Sequence, residues 1–594
     1  MFGIKNGKQY REQTSQKISW GHWFAFFNII LAVIIGSRYA FIIDWPHTFF
    51  GRSYFFISIL GHFSFIVFAA YLLLIFPLSF IIKNERTFRG VTVIIATIGS
   101  TLLLVDAEVF SHFNLHLSSV VWNLLVNPEN GELSRDWQIF FAPMPFILLI
   151  QMLFSRWSWY KLRSLERQKW SRWVGIFLTS AFIATHLIYA WADAFIYRPI
   201  TMQKSNFPLS YPMTARTFLE KNGFLNKEEY ENTLAQEGRA DALLIDYPKR
   251  ELTFAPSKVQ PNILFITVSG LRYDAVTADK MPQLNRFADN ATRFMNHYSS
   301  GNDNNAGTTG LFYGLNANYT DSLLNSKTPS VLVQKLQRDK YQFALFSATN
   351  FKESIFKQAL FPMLKLTKTK TSNQSAVQNW LDFLTGDKMK QPWFGYLDLD
   401  LVQAMKARTF ADSETEQAYY YEQLSELDSL LGKVFVRMEE QELLRNTLIV
   451  VTAEHGYSFQ LGKDELRNYF ARAQIQVPMI VHWNGLSARK EPKLSSHVDL
   501  LPALMTSVFK IENPISDYSQ GHDLFNTQGR AAEWVFAANH RWNVIITPDG
   551  TQYHIDRRGN YQKYDRTYQK VSSDRPPLGL FLDAFNQSRS FTQK

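Results

Sequence analysis

The stretch PNILFITVSGLRYD, residues 261–274, decides how the second part of this chain folds. Ile263–Val268 is a short, unbroken apolar run that stops at Ser269-Gly270. A run of that length, bounded by a turn signal and carrying β-branched residues, reads as a strand buried on both faces. Similar runs follow at Phe343–Ser347, Phe394–Leu399, Leu448–Thr452 and Met479–Trp483. Between them lie helical patterns at Pro282–Asn290, Ser330–Arg338, Ala376–Leu384, Glu414–Glu442 and His497–Val508. In the long one, Leu424, Leu427, Leu431, Val434 and Met438 recur at helical spacing. Strands alternating with helices predict a largely parallel sheet covered on both faces.

In such sheets ligands bind beyond the carboxyl ends of the strands, so the residues just after each strand carry the functional reading. Ser269, Gly270, Leu271 and Arg272 follow the first strand, and Glu454 and His455 follow Leu448–Thr452. A carboxylate beside a His at a strand end is able to bind a divalent metal, and an exposed polar turn has the same composition. The small, polar run Ser299–Asn305 precedes the apolar Gly310–Leu315. It predicts a tight loop entering a helix, suited to presenting a nucleophile or cradling an anion. Asp499 opens a helix, where its charge suits the N-terminal dipole.

Upstream, the composition changes. The whole chain is 46% hydrophobic, but Phe, Ile, Leu and Trp crowd into its first third. Apolar segments at Trp20–Ile43, Tyr54–Ile82, Val91–Leu104 (Thr87–Asp106 with its flanks), Trp137–Phe154 and Val174–Ile196 predict five membrane helices, each spanning ~30 Å of hydrocarbon. The first is too long for a cleavable signal and lacks a small-x-small site after it. Lys5, Lys8, Arg11 and Lys17 precede the first segment; Lys83, Arg86 and Arg89 follow the second; Arg156, Lys161, Arg163, Arg167, Lys169 and Arg172 follow the fourth. The opposite loops carry only Arg52 and Arg135. Positive loops face the cytoplasm, so the N-terminus is expected inside and everything after Tyr197 outside, in the periplasm of a cell with two membranes. This placement of basic residues accounts for the net charge of +10 without a nucleic-acid partner. The absence of Cys excludes disulfides and thiolate metal sites. Within 107–127, Phe110, Phe113, Leu117, Val121, Trp122 and Leu125 suggest an apolar face at the outer interface, or a loop packed on the bundle. Arg38, Asp106 and Asp193 fall near outer span ends, where charges pair or reach the interface.

The domain plan is thus a transmembrane part at 1–197, a linker at 198–260 with a short interfacial helix, and a soluble domain at 261–594. In the linker, Ser210 and Thr214 are candidate N-caps, Pro212 suits a first turn and Gly223 a helix stop. Free amides with Arg216 beside them would hold a lipid phosphate. The same residues also read as a plain connecting helix with a solvated Arg.

The strand-end segments resemble the alkaline phosphatase and sulfatase superfamily. PNILFITVSGLRYD is similar to its first strand, NTLIVVTAEHG (446–456) to its TLVIFTSDHG strand, and VPMIVHW (477–483) with SHVDLLPALM (496–505) to its PLI…HxDLxPT region. In architecture the chain resembles the membrane-bound phosphoethanolamine transferases and lipoteichoic acid synthases of that superfamily. A resemblance covering nearly the whole chain is to the YejM/PbgA family of inner-membrane proteins. It is carried by SWGHWFAFFNIILAVIIGSRY (19–39), WADAFIYRPITMQ (191–203), PLSYPMTAR (208–216), GLFYGL (310–315) and YSQGHDLF (518–525).

Together these imply a multi-pass α-helical membrane domain joined to an α/β sulfatase-like domain. Catalysis in the superfamily needs a divalent metal (Mg, Mn or Zn) and a hydroxyl nucleophile. At the matching positions this chain has Ser269 where a carboxylate ligand belongs and Asp303 where the nucleophile belongs. The strand that carries a ligand His in relatives reads Leu397-Asp398-Leu399-Asp400 here. Glu454 and His455 alone keep ligand chemistry, with Asp398 or Asp400 able to add a carboxylate. The catalytic site is expected to be degenerate. The family resemblance implies a sensor of lipopolysaccharide that restrains the adaptor LapB, and so FtsH-dependent turnover of LpxC. It implies lipid A bound along Pro208, Leu209, Ser210, Tyr211, Pro212, Met213, Thr214, Ala215 and Arg216, with cardiolipin a further lipid partner. Relatives often carry two adjacent Arg where this chain has Arg216-Thr217, so one phosphate contact is expected to be weaker. The alternatives are a metal-dependent sulfatase, phosphatase or phospholipid headgroup transferase, and a carrier of cardiolipin to the outer membrane.

Overall fold

The computed structural model describes residues 2–594 apart from 44, 114–115, 119–121, 123–140, 167–168, 240–241, 243, 258–259, 363–370, 387–388, 460–468, 527–531, 540, 557–559, 572–577 and 593–594. The chain divides into two compact units, Met1–Asn232 and Thr233–Gln593.

The first unit is helical. Helix Phe2–Gly36 is followed by Phe49–Ala70, which runs on through a π turn (Tyr71–Ile75) into Phe76–Ile81. Glu85–Phe113, Met144–Tyr160 and Trp170–Ala194 complete the long helices among the described residues. Four segments, Gln9–Phe41, Phe49–Ile81, Glu85–Ser111 and Trp170–Ala194, are long and apolar enough to cross a membrane. The fourth expected span begins at 137, and residues 137–140 lie outside the described residues. Its described helix, Met144–Tyr160, has 17 residues, about 25 Å of rise, short of a full crossing. Val121 and Leu125 of the expected interfacial face also lie outside the described residues.

Close approach and a few polar pegs hold these helices together. Gly61 packs against helix Trp170–Ala194 so tightly that a Cβ would sit 2.8 Å from Ala181 O and from Phe182 Cα, the contact that small residues allow in membranes. Asn28 and Gln151 exchange amide hydrogen bonds between two helices, and Gln151 also reaches Ser100 Oγ at 3.4 Å. Buried Lys17 donates to Ile82 O at 2.8 Å. The charges expected near the outer ends of the spans are paired. Arg38 bonds Glu108 at 2.6 Å, Asp106 accepts from the Tyr39 hydroxyl and meets His116 Nδ1 at 2.8 Å, and Asp193 pairs with Arg216 at 2.9 Å.

The second unit is α/β. Its strands are β1 (Asn262–Ser269), β2 (Thr292–Tyr298), β3 (Gln342–Ser347), β4 (Trp393–Asp400), β5 (Thr447–Thr452), β6 (Met479–His482) and β7 (Arg489–Ser496). They form one sheet in the order β3-β4-β1-β5-β6-β2-β7. The strands β3, β4, β1 and β5 are parallel, as the sequence predicts, whereas β6 runs antiparallel to both its neighbours. All eight residues of β1 are buried, and a hydrophobic core covers each face of the sheet. The long helix is Ser413–Glu440, opened by a capping box on Asp412 and burying Leu424, Leu427, Leu431, Val434 and Met438. A second sheet of five antiparallel strands, β8 (Val535–Ala538), β9 (Trp542–Ile546), β10 (Gln552–Asp556), β11 (Tyr561–Tyr564) and β12 (Lys570–Val571), closes the unit.

Candidate functional sites

The register of three neighbouring strands builds the first site. Ser269 of β1 lies beside Asp400 of β4, and Thr267 lies beside Asp398 on one side and Thr452 of β5 on the other. Glu454, two residues beyond Thr452, therefore arrives next to Ser269. Backbone bonds tie the strand ends together, Gly270 N to His455 O and Leu401 N to Ser269 O, both 2.9 Å. The first needs Gly270 at φ +88°, open to glycine at little cost.

At this junction the carboxylates are met by hydroxyls. Ser269 Oγ donates to Glu454 Oε2 at 3.0 Å, and the Tyr396 hydroxyl donates to Oε1 at 3.3 Å. The hydroxyls of Ser347 and Thr349 donate to Asp398 Oδ2. Asp398 and Glu454 are both buried. Desolvation raises both above the usual carboxylate range, and the negative charge of Glu454 pushes Asp398 further up. Burial thus favours the protonated form of the pair relative to exposed carboxylates. Asp400 accepts from Gln403 N at 2.9 Å and lies 3.7 Å from Lys352 Nζ. His455 Nδ1 bonds Gly456 O at 2.7 Å. A carbonyl only accepts, so the proton is on Nδ1 and Nε2 is bare. Burial lowers the pKa of His455.

Asp303 caps the helix Asn304–Tyr313 by accepting from Ala306 N at 2.9 Å. The expected loop and helix are present, but the nucleophile position holds a carboxylate committed to capping. His497 does not face a ligand. Its Nε2 bonds Ala453 O and its Nδ1 meets His297 Nε2, each at 2.9 Å, and burial brings its pKa down to about 3.

A sulfatase-like fold commonly uses a metal, and these residues do not fit one. Both oxygens of Glu454 already accept hydroxyl hydrogens. The residue opposite supplies a hydroxyl in place of an anionic ligand. No group of three or more His, Asp or Glu side chains is poised for a cation among the described residues. Sequence reading found Ser269, Asp303, Glu454 and His455 and missed Tyr396, Ser347 and Thr349. The signal for Tyr396 was its place on β4 beside Phe265 of β1, from which its hydroxyl reaches Glu454, visible only with the register known.

The second site belongs to the first unit. The expected helix from Pro212 onward is absent: 208–215 is not helical, and the helix is Arg216–Lys221, with Ala215 as an N-cap that makes no side-chain bond. Pro212 forces its predecessor away from helical dihedrals, and Leu209 adopts φ +56°. Ser210 and Thr214 therefore cap nothing. The segment is instead pinned to the long helices. His62 Nε2 bonds Pro208 O at 2.8 Å, Met213 N donates to His186 Nδ1 at 3.0 Å, and Arg216 Nε pairs with Asp193. The Arg216 guanidinium also bonds the Tyr230 hydroxyl at 3.2 Å and keeps 43% of its side chain exposed. Leu209, Tyr211 and Met213, earlier in the same segment, are exposed apolar or aromatic residues. Sequence reading found the segment and missed the two His that hold it.

Family models divide the chain as the two compositions do. One described as Domain of unknown function (DUF3413) matches residues 7–254, and one described as Sulfatase matches residues 261–508. The chain is 63% identical over 596 residues to an uncharacterized protein of Haemophilus influenzae, covering 100% of this chain and 99% of that one. It is 40% identical over 594 residues to the inner membrane protein YejM of Salmonella typhimurium, covering 99% of each. Among solved structures, the lipoteichoic acid synthase LtaP of Listeria monocytogenes superposes with a TM-score of 0.43 at 12% identity, over 58% of this chain and 95% of that one.

Proposed function

We propose, because this chain belongs to the YejM family of inner membrane proteins, that it is a non-catalytic regulator which senses lipopolysaccharide. In this reading it binds the lipid A headgroup in the outer leaflet of the inner membrane and acts through a LapB-type adaptor on FtsH-dependent proteolysis of LpxC. The N-terminus is cytoplasmic and the sulfatase-like unit periplasmic.

One observation carries the lipid reading: Arg216 sits partly exposed, paired with Asp193 near the end of a long apolar helix, in a segment whose Leu209, Tyr211 and Met213 are exposed. A cation in a segment with exposed apolar side chains suits a phosphate at a bilayer surface. The closure of Ser269 onto Glu454 supports the non-catalytic part. Asp193 occupies Arg216 in the structure, so a lipid phosphate competes with Asp193. Binding then shifts the helices only as far as the lipid prefers the opened pair. Cardiolipin offers the same phosphates and competes at the same Arg.

The test is lipid A binding by the full-length Arg216→Ala protein in phosphatidylcholine nanodiscs. Loss of a charge-assisted hydrogen bond predicts weakening by ~1.5–3 kcal/mol. Unchanged affinity overturns the site. Turnover of a phosphate or sulfate ester by purified protein, lost in His455→Ala, overturns the non-catalytic reading.

A further inference from the structure

Helices Phe49–Ala70 and Trp170–Ala194 and the segment around 203–212 wall a small cleft. Its volume is about 30 Å³, and a water-sized group takes ~10–15 Å³ on that measure. It therefore admits two or three such groups and no acyl chain. Gln203 forms part of the wall and is only 5% exposed. Its Nε2 donates to Gly51 O at 2.8 Å and to Pro199 O at 2.7 Å. Only an amide nitrogen satisfies two carbonyls, so the orientation of this amide is fixed and Oε1 is the atom left over. That oxygen is buried without a hydrogen-bond partner among the described residues, a costly state that a ligand donor relieves.

Other polar atoms of the wall share this character. Ser58 Oγ donates to Phe55 O and Thr185 Oγ1 to Ala181 O, both at 2.8 Å. Each hydroxyl has committed its hydrogen and keeps acceptor capacity. His62 holds a proton on Nε2 for Pro208 O, which leaves Nδ1 of the neutral ring an acceptor. The hydroxyls of Tyr54, Ser210 and Tyr211 and His186 Nε2 are the groups of the wall able to donate.

We propose that this cleft seats the hydrogen-bond-donating end of a lipid headgroup, a hydroxyl or a primary ammonium, whose phosphate Arg216 holds. The inference rests on the lipid-phosphate reading of Arg216. The two contacts are anchored at His186 and Asp193, seven residues apart on one helix, or about 10 Å along its axis. A phosphorylated sugar bridges that span more readily than an ethanolamine does.

The test measures binding of short-chain phosphatidylglycerol, phosphatidylethanolamine and phosphatidylcholine, and of lipid A, to the full-length protein in detergent. Phosphatidylcholine has no N–H or O–H donor and serves as reference. The native protein is expected to favour the donor lipids at least fivefold. Gln203→Leu deletes the unpaired oxygen but also strips two carbonyls of their donor, so the Ser58→Ala, Thr185→Val double variant is the primary probe. It is expected to lower the preference two- to tenfold and leave phosphatidylcholine binding unchanged. Arg216→Ala is expected to weaken all four lipids alike. Preference for phosphatidylglycerol and lipid A identifies a hydroxyl; preference for phosphatidylethanolamine identifies an ammonium. Equal affinities in the native protein, or an unaltered preference in the double variant while Arg216→Ala still weakens binding, sinks the cleft and leaves the Arg216 site standing. No effect of Arg216→Ala on any lipid sinks both.

Discussion

Ser269 changes the chemistry of its site with a single proton. A carboxylate there would repel Glu454 unless a cation lay between them; a hydroxyl donates to it directly. With Asp398 and Glu454 both raised by burial above their ordinary values of 3.8 and 4.5, the sign of the pH dependence is fixed. Above the unfolded pKa the unfolded chain loses a proton that the native pair retains. The native state then binds more protons, so stability is full below about pH 4 and falls as pH rises through the folded pKa. Asp398→Asn mimics the protonated acid and keeps an acceptor for Ser347 and Thr349. It is expected to stabilise the protein at pH 7.5 and to give no gain near pH 4. Thermal unfolding of the full-length protein followed by intrinsic fluorescence across that range checks it. A gain that does not depend on pH refutes the raised carboxylate. At this scale the sequence was half legible. Ser269, Asp303 and Glu454 stand out because they sit at strand ends or in a loop with the wrong chemistry. Tyr396 and Gln203 do not, because what singles them out is a neighbour far away in the chain.

Elements were read best where burial is symmetric. β1, β4 and β5 are fully buried and read as largely apolar runs, β4 broken only by Asp398 before its end. β7 reads Arg-Lys-Glu-Pro-Lys-Leu-Ser-Ser and escaped notice. It is an edge strand, where Pro and charge are tolerated, and Pro492 falls where its register with β2 shifts. The linker helix was read too early because Ser210 and Thr214 look like caps, while Pro212 and the anchoring His side chains favour an extended path. The membrane helices allow a sharper test. At Gly61 an added Cβ meets only backbone of the facing helix, which cannot rotate away, whereas at Gly99 it meets nothing within 4 Å. Gly61→Ala is expected to destabilise the bundle by about 1–3 kcal/mol, as overpacking does. Gly99→Ala is expected to be neutral or to stabilise by about 0.5–1 kcal/mol. Melting of the two proteins in identical nanodiscs distinguishes them; equal shifts would refute the contact. Because helices Phe49–Ala70 and Trp170–Ala194 carry His62 and His186, Gly61→Ala is also expected to loosen lipid binding without touching Arg216.

For the whole molecule, the parity of the membrane crossings decides which side of the membrane the sulfatase-like unit occupies. Among the described residues, four helices meet the length and composition for a crossing. If they alone crossed, both ends of the chain would share one side. The basic residues argue for a fifth crossing, since Lys161, Arg163 and Arg172 follow helix Met144–Tyr160 just as Lys83, Arg86 and Arg89 follow the second span. That helix is about 5 Å short of ~30 Å of hydrocarbon over its described length, a mismatch that bilayer thinning accommodates at modest cost. The chain contains no Cys, so single-Cys variants report topology without background. Gln9→Cys and Glu439→Cys each replace an exposed residue. With a membrane-impermeant maleimide on spheroplasts, Glu439→Cys is expected to label at once and Gln9→Cys only after lysis. Labelling of both before lysis would mean an even number of crossings with the N-terminus outside. Protection of both would put the sulfatase-like unit in the cytoplasm, where no lipid A headgroup of the outer leaflet reaches Arg216, and the sensing role would fall with it.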